Sequence, residues 1–300
     1  MPKGATVAIT GGTGLVGSRL AEALLASGNQ VVVLTRDAAK AKVPPGVRAV
    51  GPTEWQGALA KATAVVNLAG EPIATRWSDA VKDRILRSRV ETTRAVVEAL
   101  RVLPPGSRPK VMVSASAIGY YGTSNTETFT EKSGPGSDFL ARVCREWEAE
   151  AARLPEDVRQ VVLRIGIVLA KDGGALGKML PLFAIFAGGP LGSGRQWMSW
   201  VHRDDLVALI GAAIADTRYR GAYNATAPQP VRMSEFCSAL GAAMGRPSWL
   251  PAPEPALKAV LGEGAVVVLE GQKVLPDRAQ DTGFVFEYPD IAGAFKDIVK

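Results

Sequence analysis

Ala5-Thr6-Val7-Ala8-Ile9-Thr10 is followed directly by Gly11-Gly12-Thr13-Gly14-Leu15-Val16-Gly17. The first six residues read as a short buried strand. Apolar residues at Leu15, Val16, Leu20, Ala23 and Leu24 predict a helix from about Leu15 to Ser27, and Gly28-Asn29 ends it. Gln30 to Thr35 reads as a second strand, with Arg36 at its end. Strand, glycine turn, helix, strand is the first βαβ unit of a dinucleotide-binding fold. Gly11 allows the tight turn, Gly14 lets the backbone approach a pyrophosphate, and Gly17 lets the helix pack closely on the strand. The turn residues Thr13, Leu15 and Val16 complete the expected phosphate cradle, because free amides and the dipole at a helix start favour negative charge.

Arg36 selects the dinucleotide. An acid commonly stands about 20 residues beyond the turn and binds a ribose 2′-hydroxyl. A guanidinium there suits a 2′-phosphate, so NADP(H) is expected; the adjacent Asp37 is the competing reading, for NAD.

The 300 residues allow one large or two modest domains. Their 47% hydrophobic content fits a compact core, and no apolar run approaches the roughly 20 residues that span a bilayer. The net charge of +6 is scattered, without the basic stripe that nucleic-acid binding requires. Cys144 and Cys237 are isolated, which excludes a disulfide framework and a zinc spacing and points to a reducing compartment. His202 is the only histidine, so no histidine-rich metal site is expected. Met1 to Gly4 leads straight into the first strand, with no targeting segment visible.

Further along, Ala62 to Leu68 reads as a central strand ending in Asn67-Leu68-Ala69-Gly70, small residues that let the chain pass beside a cofactor ribose. Ser78 is the expected cap of a helix from about Asp79 to Val102, and Arg76 and Trp77 before it are pocket residues or loop anchors. Lys110 to Ser114 forms the next strand and runs into Ala115-Ser116-Ala117-Ile118-Gly119-Tyr120-Tyr121-Gly122. A helix over Asp138 to Glu148 follows, then a strand over Val158 to Gly166. Arg195, Gln196 and Trp197, after the glycine-rich run Gly188 to Gly194, are candidates for a substrate pocket. Asp204 and Asp205 are expected to cap the next helix, and His202 to be structural.

These strings together resemble the epimerase-like family of extended short-chain dehydrogenases/reductases that carry a short C-terminal domain. Its specific pieces here are Gly70-Glu71-Pro72-Ile73 with Arg76-Trp77, Ser114-Ala115-Ser116 with Gly119-Tyr120-Tyr121-Gly122, Val143-Cys144-Arg145-Glu146-Trp147-Glu148, and Ser199-Trp200-Val201-His202. The resemblance implies an α/β fold: a Rossmann-type doubly wound parallel sheet with a smaller C-terminal, substrate-side domain. The expected division is 1–168, with 203–228 returning to it, against 169–202 and 229–300. Leu68, Ala69, Gly70 and Ser114 join the cofactor residues by the same resemblance. Ser116 matches the hydroxyl that bonds a reacting oxygen, and Tyr120 or Tyr121 the aromatic that follows it.

The family's Tyr-x-x-x-Lys pair has no match. Phe139 with Val143, or Leu140 with Cys144, occupies the four-residue spacing on the 138–148 helix. The non-standard acid/base candidates are therefore Ser116, Tyr120, Tyr121 and Cys144. Two readings stay open: an NADP-dependent oxidoreductase or nucleotide-sugar-epimerase-like enzyme acting on an unknown small molecule, and a cofactor-binding scaffold or redox sensor without turnover. Arg246-Pro247-Ser248-Trp249-Leu250-Pro251 and Glu270-Gly271-Gln272-Lys273-Val274-Leu275-Pro276 are similar to the plant and cyanobacterial giant-chloroplast branch. That likeness implies plastid-division or envelope-associated partners and a stromal location, or a cytoplasmic one in a cyanobacterium.

Overall fold

The computed structural model describes residues 1–300. From the N-terminus run β1 (Thr6–Thr10), α1 (Leu15–Ala26), β2 (Gln30–Leu34), β3 (Arg48–Val50), α2 (Trp55–Leu59), β4 (Ala64–Asn67), α3 (Asp79–Arg101) and β5 (Val111–Ala117). Next come β6 (Thr128–Phe129), α4 (Phe139–Ala151), β7 (Arg159–Ile165), β8 (Ile167–Ala170), α5 (Gly174–Ala184), β9 (Trp197–Met198), β10 (Trp200–His202), α6 (Arg203–Ala215) and β11 (Gly221–Ala225). The remainder is β12 (Val231–Arg232), α7 (Met233–Met244), α8 (Glu254–Leu261), α9 (Val266–Leu269), β13 (Lys273–Val274), α10 (Asp277–Asp281) and α11 (Ile291–Ile298).

Seven strands form one parallel sheet in the order β11-β7-β5-β4-β1-β2-β3. Side chains alternate across it. Val7 and Ile9 of β1 pack with Leu20 and Leu24 of α1 and with Leu206 and Ile210 of α6. Ala8 faces the opposite way, with Val96 and Leu100 of α3. Both faces are covered, which is why the strands read as continuous apolar runs. Strand order reverses between β1 and β4, so the crevice beyond their C-terminal ends is where such sheets hold ligands.

Local signals set the helix limits. Ser78 accepts a hydrogen bond from the Val81 amide and Asp138 from the Ala141 amide, starting α3 and α4 as the cap rule predicts. The short α2 forms because Trp55 and Leu59 lie one turn apart and both bury against the sheet. The cap of α6 differs from expectation. His202 Nδ1 accepts from the Asp204 amide, while Asp204 pairs with Arg19 of α1 at 2.7 Å. Asp205 accepts from the amides of Glu287 and Tyr288 and so ties down the C-terminal stretch.

A second core lies beyond the sheet. Phe183 of α5, Trp200 of β10, Phe236 of α7 and Phe295 of α11 are fully buried within it. The chain reaches this core through β8, leaves it through β10 and α6 to add β11, and returns for its last quarter. The pairing of β13 with β6 lays the segment before β13 across the C-terminal end of the sheet. No helix is long and apolar enough to cross a membrane.

Candidate functional site

The glycine turn has the geometry its spacing predicts. Gly11 has φ +68°, and a Cβ there would lie 2.8 Å from the Leu68 carbonyl carbon. A Cβ at Gly17 would lie 2.2 Å from Gly11 O, so the helix sits against the strand end only because Gly17 lacks one. Gly14 is different. Its φ is −84°, and the only atom near its absent Cβ is Gly11 O at 3.3 Å. Gly12 was not assigned a role, but its absent Cβ would fall 2.4 Å from Val33 Cγ2. No side chain caps α1 and its first turn holds no acid. The amides of Leu15, Val16 and Gly17 have no backbone acceptor, so this helix start is open to an anion. Thr13 is exposed on the turn.

Arg36 stands just past β2 with its side chain 91% exposed, and the nearest acid oxygen is Glu71 Oε1 at 4.0 Å. Asp37 is engaged elsewhere, with Lys40 at 3.1 Å. The guanidinium is thus the free group at the strand end.

Two polar rows cross the C-terminal end of the sheet. Thr10, Asn67 and Ser114 are register partners on β1, β4 and β5. The Thr10 hydroxyl donates to Asn67 Oδ1 at 2.6 Å, and Asn67 Nδ2 donates to Ser114 and to Thr93 of α3. Thr10 Oγ1 also accepts from the Leu68 and Ala69 amides, which fixes the small-residue turn. Ser114 is therefore a buried support under the turn, its hydroxyl taken up by Asn67.

Ser116, Arg164 and Asn224 form the second row, on β5, β7 and β11. The Ser116 hydroxyl donates to Glu148 of α4 at 2.6 Å. Arg164 holds that carboxylate with two bonds of 2.9 Å. Burial opposes the Arg164 charge, but the bonds to Glu148 outweigh it and raise its pKa above the ordinary value. Arg164 also donates to the Tyr121 hydroxyl at 3.0 Å and stacks 3.4 Å above the Tyr120 ring. Neither Glu148 nor Arg164 was singled out beforehand. A lone arginine inside the apolar run of β7 was the available signal, because such a charge is buried only when paired.

The acid/base candidates divide on this geometry. Ser116 lines the cleft. Tyr121 does not: it is buried, donates to Asn224 Oδ1 at 2.6 Å, and burial pushes its pKa up to about 12. Tyr120 is occupied by the Arg164 stack, also away from the cleft wall. Cys144 lines the cleft, but its thiol rests 3.6 Å from Ala117 O and burial pushes its pKa up to about 11. A thiol titration should accordingly find Cys144 unreactive up to about pH 9, the thiolate being the nucleophile; labelling at neutral pH would contradict this environment.

The cleft has a volume of about 590 Å³. Gly11, Gly14 and Gly17 line one end, with Leu68 and Gly70 beside them, and Ser116 and Ala117 form the floor. Trp77 and Phe139, whose rings meet edge to face at 5.2 Å, form one side. The far wall is Val266–Val268 with Glu270, Gly271 and Gln272, next to Trp197. Of the expected pocket residues, Trp77 and Trp197 belong to the cleft and three do not. Arg76 is exposed and donates to Ala259 O at 2.5 Å. Arg195 is exposed. Gln196 turns inward, its amide donating to Leu191 O and Val268 O. Arg76 and Gln196 thus brace the C-terminal segment instead. No three His, Cys, Asp or Glu side chains converge as metal ligands.

The fold and the glycine turn define a dinucleotide-type α/β chain, and comparison with known proteins places it more closely. Residues 7–225 match the NAD dependent epimerase/dehydratase family, and the chain belongs to that family. Residues 252–298 match a domain of unknown function, DUF1731. The chain is 52% identical over 301 residues to the chloroplastic homolog of epimerase family protein SDR39U1 from Arabidopsis thaliana, covering 98% of this chain and 87% of that protein. It is 38% identical over 299 residues to the human epimerase family protein SDR39U1, covering 98% and 99%. A crystal structure of the human protein with NADPH superposes with a TM-score of 0.88 at 37% identity, covering 98% of each chain.

Proposed function

We propose that this chain is an NADP(H)-binding, epimerase-like oxidoreductase that works without a Tyr-x-x-x-Lys pair. The observation that carries the reading is the continuity of the cleft from the uncapped start of α1 to Ser116. The Gly11–Gly17 turn would hold the pyrophosphate and Arg36 the 2′-phosphate, and the NADPH bound to the human relative supports this. When bound, the nicotinamide supplies or accepts a hydride. Ser116 meets the substrate in a defined orientation. Its proton is committed to Glu148, so its oxygen offers a lone pair to the cleft and holds a group that donates a hydrogen bond. That favours the hydroxyl form of a substrate over its carbonyl form.

Arg36→Ala should weaken NADPH about tenfold and leave NADH nearly unchanged, since only the 2′-phosphate is lost as a partner. Fluorescence titration of both dinucleotides tests this; equal affinities in the parent protein would sink the 2′-phosphate assignment.

A second reading, a cofactor-binding scaffold or redox sensor without turnover, draws support from α4. That helix contains neither tyrosine nor lysine, and its one thiol is held protonated. A ligand-bound structure separates the two by showing whether a second molecule and a proton-carrying side chain stand within about 3 Å of each other beside the nicotinamide. The plastid setting is supported by the chloroplastic Arabidopsis relative. A role in plastid division at the inner envelope rests on the resemblance alone; unchanged plastid number and size after deletion would remove it.

A further inference from the structure

We propose that Arg89 is an anion-binding residue of the cleft, positioned to take a carboxylate or phosphate group of a bound ligand. The inference rests on the reading of the cleft as the dinucleotide and substrate site. Arg89 lies on α3 and lines the cleft between Gly70 and Trp147. Three acceptors fix its terminal nitrogens: one donates to Ile85 O at 2.9 Å and to Ser88 Oγ at 3.5 Å, the other to Glu71 O at 2.9 Å, which leaves Nε–H facing no acceptor. Its guanidinium carbon would be 3.0 Å from a Cβ on Gly70, so the absent side chain lets it press against the strand-end turn.

No carboxylate lies within ion-pair distance of Arg89, and its Nε–H has no acceptor in the protein. The nearby Glu71 side chain is the one that approaches Arg36. Burial lowers the pKa of Arg89, with only Cys144 and Glu71 opposing, as expected of a cation lacking its counter-ion. Beside it, the guanidinium carbon stands 5.4 Å from the centre of the Trp147 ring, and the buried Trp147 Nε1–H also lacks an acceptor. Two donors without acceptors thus adjoin one apolar-walled cleft. A pre-positioned guanidinium loses little freedom on binding, and its fork matches carboxylate and phosphate oxygens.

The anion has two possible sources, the dinucleotide's phosphates and an acidic substrate, and one experiment separates them. Parent, Arg89→Gln and Arg89→Lys proteins are titrated with NADPH, and each NADPH-loaded protein is then titrated with malonate and with inorganic phosphate by calorimetry. A loss of about tenfold or more in NADPH affinity in the variants assigns the anion to the dinucleotide. Unchanged NADPH affinity with a similar loss of malonate or phosphate binding assigns it to a substrate. Variants that match the parent in all three titrations overturn the proposal. If Arg89→Gln fails to fold, Arg89→Lys is judged by the same outcomes, because lysine keeps the charge and loses the fork. A parent protein that ignores NADPH but binds malonate or phosphate through Arg89 would keep this site and reject the dinucleotide reading.

Discussion

Gly14→Val should abolish measurable NADPH binding while the protein still folds. Gly14 sits at the N-cap of α1 with φ −84°, a conformation open to any residue. The one atom near its absent Cβ is Gly11 O at 3.3 Å, so a side chain meets little resistance from the protein. Valine is a poorer cap than glycine, which costs about 1 kcal/mol. Its methyl groups would instead stand where a phosphate must approach the amides of Leu15, Val16 and Gly17. We expect a weakening of about a hundredfold or more, equivalent to about 2.7 kcal/mol. NADPH titration alongside thermal denaturation checks both halves. Gly17→Val is the contrasting control, since its first added carbon would lie 2.2 Å from backbone oxygen and should damage the fold itself. Parent-like affinity in Gly14→Val would mean that phosphate binds elsewhere.

Arg164→Met should destabilise the protein by about 3–5 kcal/mol, the usual consequence of stranding one member of a buried ion pair. The side chains of Arg164 and Glu148 are only 6% and 17% exposed, so water cannot replace the lost partner well. The Glu148→Met, Arg164→Met double variant should recover most of that loss, because both charges leave together. Denaturant unfolding of the parent, Arg164→Met, Glu148→Met and the double variant forms the cycle that isolates the pair. The double variant also frees the Ser116 proton, so its substrate orientation should change even where its stability returns. A cost below about 1 kcal/mol for Arg164→Met would show that the pair behaves as a surface bridge.

The sheet and the phosphate turn were legible because their determinants are local. Gly11, Gly14 and Gly17 act on atoms within a few residues or on the neighbouring strand end, and the apolar runs of β1, β2 and β4 declare burial on both faces. The polar machinery behind Ser116 was not legible. Ser116 meets Glu148 across 32 residues, and Tyr121 meets Asn224 across 103, so spacing along the chain carries no trace of either bond. Long side chains misled for a related reason. Arg76 and Gln196 occur in pocket-like strings, but Arg76 reaches the Ala259 carbonyl and Gln196 that of Val268, and a flexible stem does not announce its direction.

The far wall of the cleft has a consequence for how this chain could change its chemistry. Val266–Val268 and Glu270–Gln272 belong to the stretch matched by the domain of unknown function, whereas the phosphate turn and Ser116 belong to the epimerase segment. Gly271 is clamped there, with room for no Cβ because Trp197 O would lie 2.0 Å away, so the wall is held in register with the sheet. The glycine turn and the wall facing it are thus carried by different stretches of one chain, while Trp77, Phe139 and Trp197 complete the cleft from outside 252–298. Transplanting residues 252–298 between family members would therefore replace one wall of the cleft and leave the Gly11–Gly17 turn and the floor at Ser116 unchanged.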